Sequence, residues 1–252
     1  MHVLKQRFVW PYSYMANISK ALDDAGIPNF QWGDHLNQLH DCDNASVLCG
    51  LVVQRSQLDA ATSILSSTEL CPCDCSPEKF CELPGAHHPF NPVVAPRVHF
   101  TVPSMMPCHL VFLCANEDML DLIPLTPSHP NPASLEWEEL NIQLHPDRPA
   151  EDDLAMEAHP IKCLSASSVV RLLMLCNLLL PSDQQRLSHY SSWYLLQYAI
   201  ANGEYGVAED IGSVALNAWW RGFWLSINNP SKRSQWLQTQ ARKEAQAIIS
   251  QP

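Results

Sequence analysis

Apolar residues along the first 70 positions follow helix and strand patterns in turn. Helical spacing predicts a helix over 13–25, which ends at Gly26. A short strand is predicted at Asn29–Trp32 and a strand of continuous apolar residues at Val47–Val53, with a Gly-Asp turn and a helix between them. Helical spacing returns over Ser56–Ser66. This order of helix, strand, helix, strand, helix predicts an α/β amino-terminal half.

The pattern changes after Cys71. Twelve of the 20 prolines lie between positions 84 and 149, which excludes long helices there. Two strands are still predicted, at Arg97–Val102 and His109–Cys114, as an antiparallel pair, and a helical turn follows at Asn116–Ile123. The segment Glu136–Glu157 holds eight acidic residues and one arginine. We expect it to be an exposed loop or insertion.

The last ninety residues are helical in pattern and are interrupted by turn signals. Four helices are predicted, at Ser165–Leu180, Asp183–Ala201, Tyr205–Ile227 and Lys232–Ile249.

The fold class that these patterns indicate is α+β or α/β. We expect a mixed sheet with flanking helices, followed by a carboxy-terminal helical region. Three segments are predicted: an α/β domain over 1–125, an acidic, proline-rich linker or insertion over 126–162, and the helical region over 163–252.

Charge narrows the range of partners. The net charge of −11 argues against nucleic acid as a partner, because binding to a phosphate backbone requires a clustered excess of Lys and Arg. The most apolar run, Val169–Leu180, is too short to cross a bilayer and contains Arg171. The amino terminus has no apolar run typical of a secretory signal. A soluble, cytoplasmic protein with no membrane partner is therefore expected, acting on an unknown protein or small-molecule ligand.

The ten cysteines suggest two roles in a reducing compartment. Five lie in apolar segments, where we expect small buried hydrophobic side chains: Cys42, Cys49, Cys114, Cys163 and Cys176. The others include a cluster that could bind zinc through thiolates and an imidazole: Cys71, Cys73, Cys75, Cys81, His87 and His88. Its C-x-C-x-C spacing differs from the usual zinc knuckle, so a cysteine-rich loop packed under the sheet is the alternative.

Several phrases between residues 12 and 124 occur in the order typical of one known family. They are AGIP at Ala25–Pro28, WG at Trp32-Gly33, CGLVV at Cys49–Val53, CPCDC at Cys71–Cys75, VHF at Val98–Phe100 and FLCANEDMLDLIP at Phe112–Pro124. The chain thereby resembles a functionally uncharacterised family of fungal proteins, assigned to the nucleotidyltransferase superfamily by fold. The resemblance implies a nucleotidyltransferase-like mixed sheet over this part of the chain.

The resemblance also implies where an active site would lie. Active nucleotidyltransferases hold the triphosphate on a Gly-Ser or Gly-Gly turn at a helix start, and here Trp32, Gly33 and Asp34 occupy that turn. The acidic Asp34 would repel a phosphate. Active members also carry two acids at i and i+2 on the next strand for divalent metal, and the matching residues here are Leu48 and Gly50.

Two alternatives to an inactive protein remain open. Asp34, Asp41 and Asp43 are the weak catalytic candidates of a divergent transferase that would use Mg²⁺. Asp41 and Asp43 also form an acid–x–acid triplet, although a polar turn between helix and strand is the simpler interpretation. A zinc-stabilised binding module centred on 71–81 is the second alternative. The preferred hypothesis is a catalytically inactive nucleotidyltransferase-like protein with an interaction or ligand-binding role.

Overall fold

The computed structural model describes residues 12–40, 48–73, 97–102, 110–140, 159–180 and 235–250. These residues form five helices and seven strands, so the predicted α+β class, a mixed sheet with flanking helices, is confirmed. Two further helical predictions, at 183–201 and 205–227, lie outside the described residues. No helix in the described ranges is long and apolar enough to cross a membrane.

The observed elements closely follow the predicted ones in the amino-terminal half. The helices are α1 (Tyr12–Asp24), α2 (Asp34–Leu39), α3 (Leu58–Ser66), α4 (Ala166–Leu179) and α5 (Gln235–Ile249). The strands are β1 (Phe30–Gly33), β2 (Leu48–Val53), β3 (Cys71–Pro72), β4 (Val98–Thr101), β5 (Leu110–Ala115), β6 (Trp137–Leu140) and β7 (Ile161–Leu164). The predicted helical turn after β5 is a 3-10 turn, Asn116–Met119.

Five strands form one mixed sheet in the order β1-β2-β5-β4-β3. The central pair, β2 and β5, is parallel, and every other pair is antiparallel. The predicted antiparallel pairing of β4 with β5 is therefore confirmed. A parallel pair needs a crossover, and here the chain from β2 to β5 passes through α3, the edge strand β3 and its neighbour β4.

The sheet buries both of its faces. The first face carries Cys49, Leu51 and Val53 of β2, and it packs with apolar side chains of α1 and α3. The second face carries Gly50 and Val52, and its side chains pack with those of α4 and α5. Successive residues of a strand point to opposite faces, so the continuous apolar run in β2 is explained by burial on both sides.

A second, two-stranded sheet corrects one prediction. The segment Glu136–Glu157 was expected to be an exposed loop or insertion. Its residues 137–139 are exposed, but they belong to the strand β6, which pairs antiparallel with β7. Trp137 shows why the strand was missed. It is 44% exposed and yet packs edge-on against Phe30, so the acidic composition concealed an apolar anchor.

Strand β7 has no counterpart among the predicted elements. It lies at the boundary between the predicted linker and the helical region, and Ile161, Cys163 and Leu164 are buried. Ala133 and Leu135, also in the predicted linker, are buried as well. The division of the chain into three domains stays a prediction.

Candidate functional site

The turn between β1 and α2 is the position at which the resemblance predicts a phosphate-binding turn. Gly33 ends β1 with a φ of 78°, a conformation that glycine adopts at low cost. Asp34 begins α2 directly after it. Trp32 is 4% exposed and belongs to the core of the second face. The strand–turn–helix order is therefore present, but the tryptophan of this turn is part of the core.

The two strand positions expected to carry metal-binding acids lie in β2. Leu48, Gly50 and Val52 alternate with the residues of the first face, so positions 48 and 50 belong to the second face. Gly50 lies opposite Trp32 on β1 and opposite Phe112 on β5. Any acid at these positions would have to project into the second face.

At Gly50 the second face leaves no room for a side chain. A Cβ atom placed on this glycine would overlap the Phe112 ring, with three ring carbons within 2.8 Å. Phe112 itself is 1% exposed. The aromatic ring of the neighbouring strand therefore occupies the space where a carboxylate would stand.

The rest of the second face is also buried and apolar. One buried cluster joins the sheet to the carboxy-terminal helices, and it includes Phe30, Trp32, Val52, Phe112, Cys114, Met119, Leu172, Met174, Ala241 and Ala245. A carboxylate placed among such side chains would have to be desolvated without a partner, which costs several kcal/mol. Burial raises the pKa of the Cys114 thiol as well, so no ionised group is favoured here.

The three aspartates proposed for a divergent transferase are only partly placed. The backbone of Asp34 begins α2. Asp41 and Asp43 lie outside the described residues. Their catalytic role stays a prediction.

The proposed zinc cluster is described at one end only. Cys71 is an exposed residue of β3 opposite Thr101, and the backbone N–H of Cys73 donates to the carbonyl oxygen of His99 at 3.0 Å. Both residues therefore extend the edge of the sheet. The other four candidates, at positions 75, 81, 87 and 88, fall outside the ranges that the structure describes.

The cysteines predicted to be buried are buried where they are described. Cys49, Cys114, Cys163 and Cys176 are buried and form no disulfide, and Cys42 falls outside the described residues. Burial raises the pKa of the Cys176 thiol to about 12. Cys163 differs from the others because its thiol lies close to side chains of His40 and Glu138.

Cys163 lies close to two side chains of the kinds that bind metal ions. One ligand atom each from His40, Glu138 and Cys163 lies within 4.8 Å of the other two. His40 directly follows α2, Glu138 is in β6 and Cys163 is in β7. The sequence analysis did not find this group, because its members are far apart in the chain and share no spacing motif.

A separate polar network ties α1 to β1 and β7. The buried Asn29 amide donates to the Ser19 carbonyl oxygen at 3.3 Å and to Asp23 at 3.1 Å, and Ser19 Oγ donates to Asn29 Oδ1 at 2.7 Å. Asp23 also accepts from Lys162 Nζ at 3.0 Å and is 2.8 Å from His159 Nε2. Every group here has a partner within the protein, so the network is best explained as a structural connection between the elements.

Comparisons with known proteins give one weak likeness. No family model matches the chain, and no curated protein matches it. Among solved structures the chain is similar to the antibiotic-resistance factor ANT(2'')-Ia, a nucleotidyltransferase, at 10% identity and a TM-score of 0.39. The alignment covers 87% of this chain and 96% of that one. A likeness of this size carries no argument about activity.

Proposed function

We propose that this protein is a catalytically inactive relative of the nucleotidyltransferases, acting by binding a protein or small-molecule ligand. Such a protein would keep the strand–turn–helix scaffold and lack the metal-dependent transfer step. The ligand would be bound without nucleotidyl transfer.

The observation that carries this proposal is the contact between Gly50 and Phe112. Two-metal transfer needs a pair of carboxylates that hold the ions against the nucleotide phosphates. At position 50 the neighbouring strand supplies an aromatic ring that leaves no space for even a methyl group. Regaining the acid would therefore require repacking of β5 as well as one substitution in β2.

The surroundings of this contact give further support. A catalytic cleft must admit water, metal and nucleotide, whereas the second face belongs to a buried cluster that also includes side chains of α2, α4 and α5. Leu172, Ala241 and Ala245 in that cluster are 0% exposed. Opening a path to Gly50 would expose a large part of the hydrophobic core.

Nucleotide turnover is the direct test. The full chain would be incubated with ATP, GTP or CTP and either Mg²⁺ or Mn²⁺, and pyrophosphate release and heat of binding would be measured. We expect no pyrophosphate above the protein-free rate and no binding that depends on the metal. Metal-dependent binding with turnover would overturn the proposal.

A matched variant separates true turnover from contamination. The double variant Asp41→Asn, Asp43→Asn removes the acid–x–acid triplet without changing side-chain size. We expect it to behave like the parent chain in every assay. Turnover that is present in the parent and lost in this variant would establish the divergent transferase instead.

A further inference from the structure

The group formed by His40, Glu138 and Cys163 combines three kinds of metal ligand from three separate elements. The ligand atoms, one from each residue, all lie within 4.8 Å of one another. Around a tetrahedral zinc ion the ligand atoms are about 3.6 Å apart, given bonds of about 2.0–2.3 Å. The distances between the ligand atoms therefore exceed that spacing by at most about 1 Å. Glu138 is exposed, so its side chain can rotate to close this gap.

One ring nitrogen of His40 is held by a backbone carbonyl group. Its Nε2 atom is 2.8 Å from the carbonyl oxygen of Leu164. Because a carbonyl oxygen can only accept, Nε2 carries the proton in this contact, and the lone pair of the neutral ring is on Nδ1. Metal-binding histidines usually donate their other ring N–H to a carbonyl or carboxylate in this way.

Glu138 and Cys163 are brought together by strand pairing. They are directly opposite each other in the β6–β7 ladder, which places their side chains on one side of the sheet. The thiol is buried and the carboxylate is exposed. Burial and the nearby Glu138 charge raise the pKa of Cys163 to about 12, so without a cation the thiol keeps its proton.

We propose that His40, Glu138 and Cys163 form a binding site for a zinc ion. On binding, the S–H bond of Cys163 breaks, the proton leaves to solvent, and the thiolate forms a bond to the metal. The imidazole supplies the second bond and the Glu138 carboxylate the third. A water molecule completes a four-coordinate ion on the solvent side, the arrangement of zinc sites with three protein ligands.

The choice of zinc follows from the ligand set. Magnesium and calcium take oxygen ligands, so a thiol and an imidazole disfavour both ions. Nitrogen, sulfur and carboxylate oxygen together are the ligands of Zn²⁺ in proteins. This site is distinct from the cysteine cluster at 71–81, since the two share no residue.

Metal titration of a chain that lacks the loop cysteines tests the proposal. In this background Cys71, Cys73, Cys75 and Cys81 are all replaced by serine, so that any bound metal reports on the remaining residues. Zn²⁺ would be titrated by calorimetry, and Co²⁺ would be used as a spectroscopic substitute. We expect one Zn²⁺ per chain and a thiolate-to-cobalt charge-transfer band in the near ultraviolet.

Two charge-matched variants provide the decisive comparison. Glu138→Gln removes a ligand, whereas Glu139→Gln makes the same change at the next residue of β6, which points to the other side. Both positions are exposed, so neither change should unfold the protein. We expect Glu138→Gln to weaken Zn²⁺ binding by about tenfold or more and Glu139→Gln to leave it unchanged.

Cys163→Ser should remove the cobalt charge-transfer band, and His40→Gln should weaken binding with the band retained. Circular dichroism would confirm that each variant is folded. If the chain that lacks the loop cysteines binds no stoichiometric Zn²⁺, the proposal is overturned. Equal Zn²⁺ affinity of the Glu138 and Glu139 variants would overturn it as well.

Discussion

The two faces of the five-stranded sheet are both buried, but they are built differently. The first face is covered by α1 and α3, which are next to β1 and β2 in the chain. The second face shares its buried cluster with the local helix α2 and with α4 and α5, which lie more than a hundred residues further along. On the first face, aliphatic side chains such as Leu51 and Leu113 meet across neighbouring strands. On the second face, the Phe112 ring occupies the space that a side chain at Gly50 would fill.

This difference bears on the proposal that the protein lacks a metal site. A sheet face that holds metal ions must stay open to solvent and carry acids. The second face has neither property at Gly50, because the Phe112 ring fills the space and the surrounding residues form a buried cluster. The first face packs against α1 and α3 through aliphatic side chains.

The largest expected effect comes from adding one methyl group to the second face. Gly50→Ala would drive a Cβ atom into the Phe112 ring, which buried neighbours prevent from moving freely. We expect the free energy of unfolding to fall by about 3 kcal/mol, the upper end for an overpacked core. Urea unfolding followed by circular dichroism would measure it.

Two variants sharpen this comparison of the faces. In a Phe112→Leu background the aromatic ring is absent. The same Gly50→Ala change should then lower the free energy of unfolding by at least about 1 kcal/mol less than in the parent chain. Cys49→Ala, the adjacent residue on the first face, should cost only about 1 kcal/mol. A Gly50→Ala protein as stable as the parent would contradict the close contact.

A smaller effect is expected from acidification, through the buried His35 of α2. Burial lowers its pKa to about 3. In the unfolded chain the ring has its ordinary pKa of about 6.5 and takes up a proton below that pH, while the folded ring does not. Stability should therefore fall as the pH drops from about 6.5 toward 3, with a loss of about 2 kcal/mol between pH 7 and pH 5.

The control for this prediction is His35→Gln, because glutamine at position 35 does not titrate in that range. Urea unfolding of both proteins at pH 7 and pH 5 would isolate the histidine contribution, since every other group is shared. The parent should lose about 2 kcal/mol more than the variant between the two pH values. If the parent and the variant lost the same stability between pH 7 and pH 5, the His35 ring would take up its proton in the folded protein as it does in the unfolded chain.

The smallest effect is expected at an end of the sheet that belongs to neither face. Asp118 accepts from Arg55 and Arg97, both at 2.5 Å, and both arginine side chains are about half exposed. The Asp118 side chain is 16% exposed, but both guanidinium groups are open to solvent, so Asp118→Asn should lower the unfolding free energy by only about 1 kcal/mol. The loss should shrink as salt is added. A loss that is large and insensitive to salt would contradict this.

Local sequence signals were enough to predict much of the fold. Leu51 and Val53 alternate with Gly50 and Val52 inside one apolar run, and such a run predicts a strand buried on both faces. The Ser165 N-cap marks the start of α4, where its side chain accepts from the Ser168 N–H. Strand β7 was missed, since it is only four residues long.

The candidate sites were less predictable. Absence of acids at Leu48 and Gly50 was visible in the sequence, but the ring that fills the space came from β5, through a strand pairing that no local pattern indicates. The group of His40, Glu138 and Cys163 depends on the β6–β7 ladder in the same way. Contacts between distant residues carry no sequence period, so these sites could not be read from the chain.

The sequence by itself determined the order of elements in the amino-terminal half, the glycine turn after β1, and the lack of paired acids on β2. These features depend on periodicity and backbone preference, which neighbouring residues specify. Only the tertiary structure decided what covers the second face and which polar side chains meet at Cys163. The physical reason is that packing and ligand geometry depend on distances through space, and those are fixed once strands from remote segments have paired.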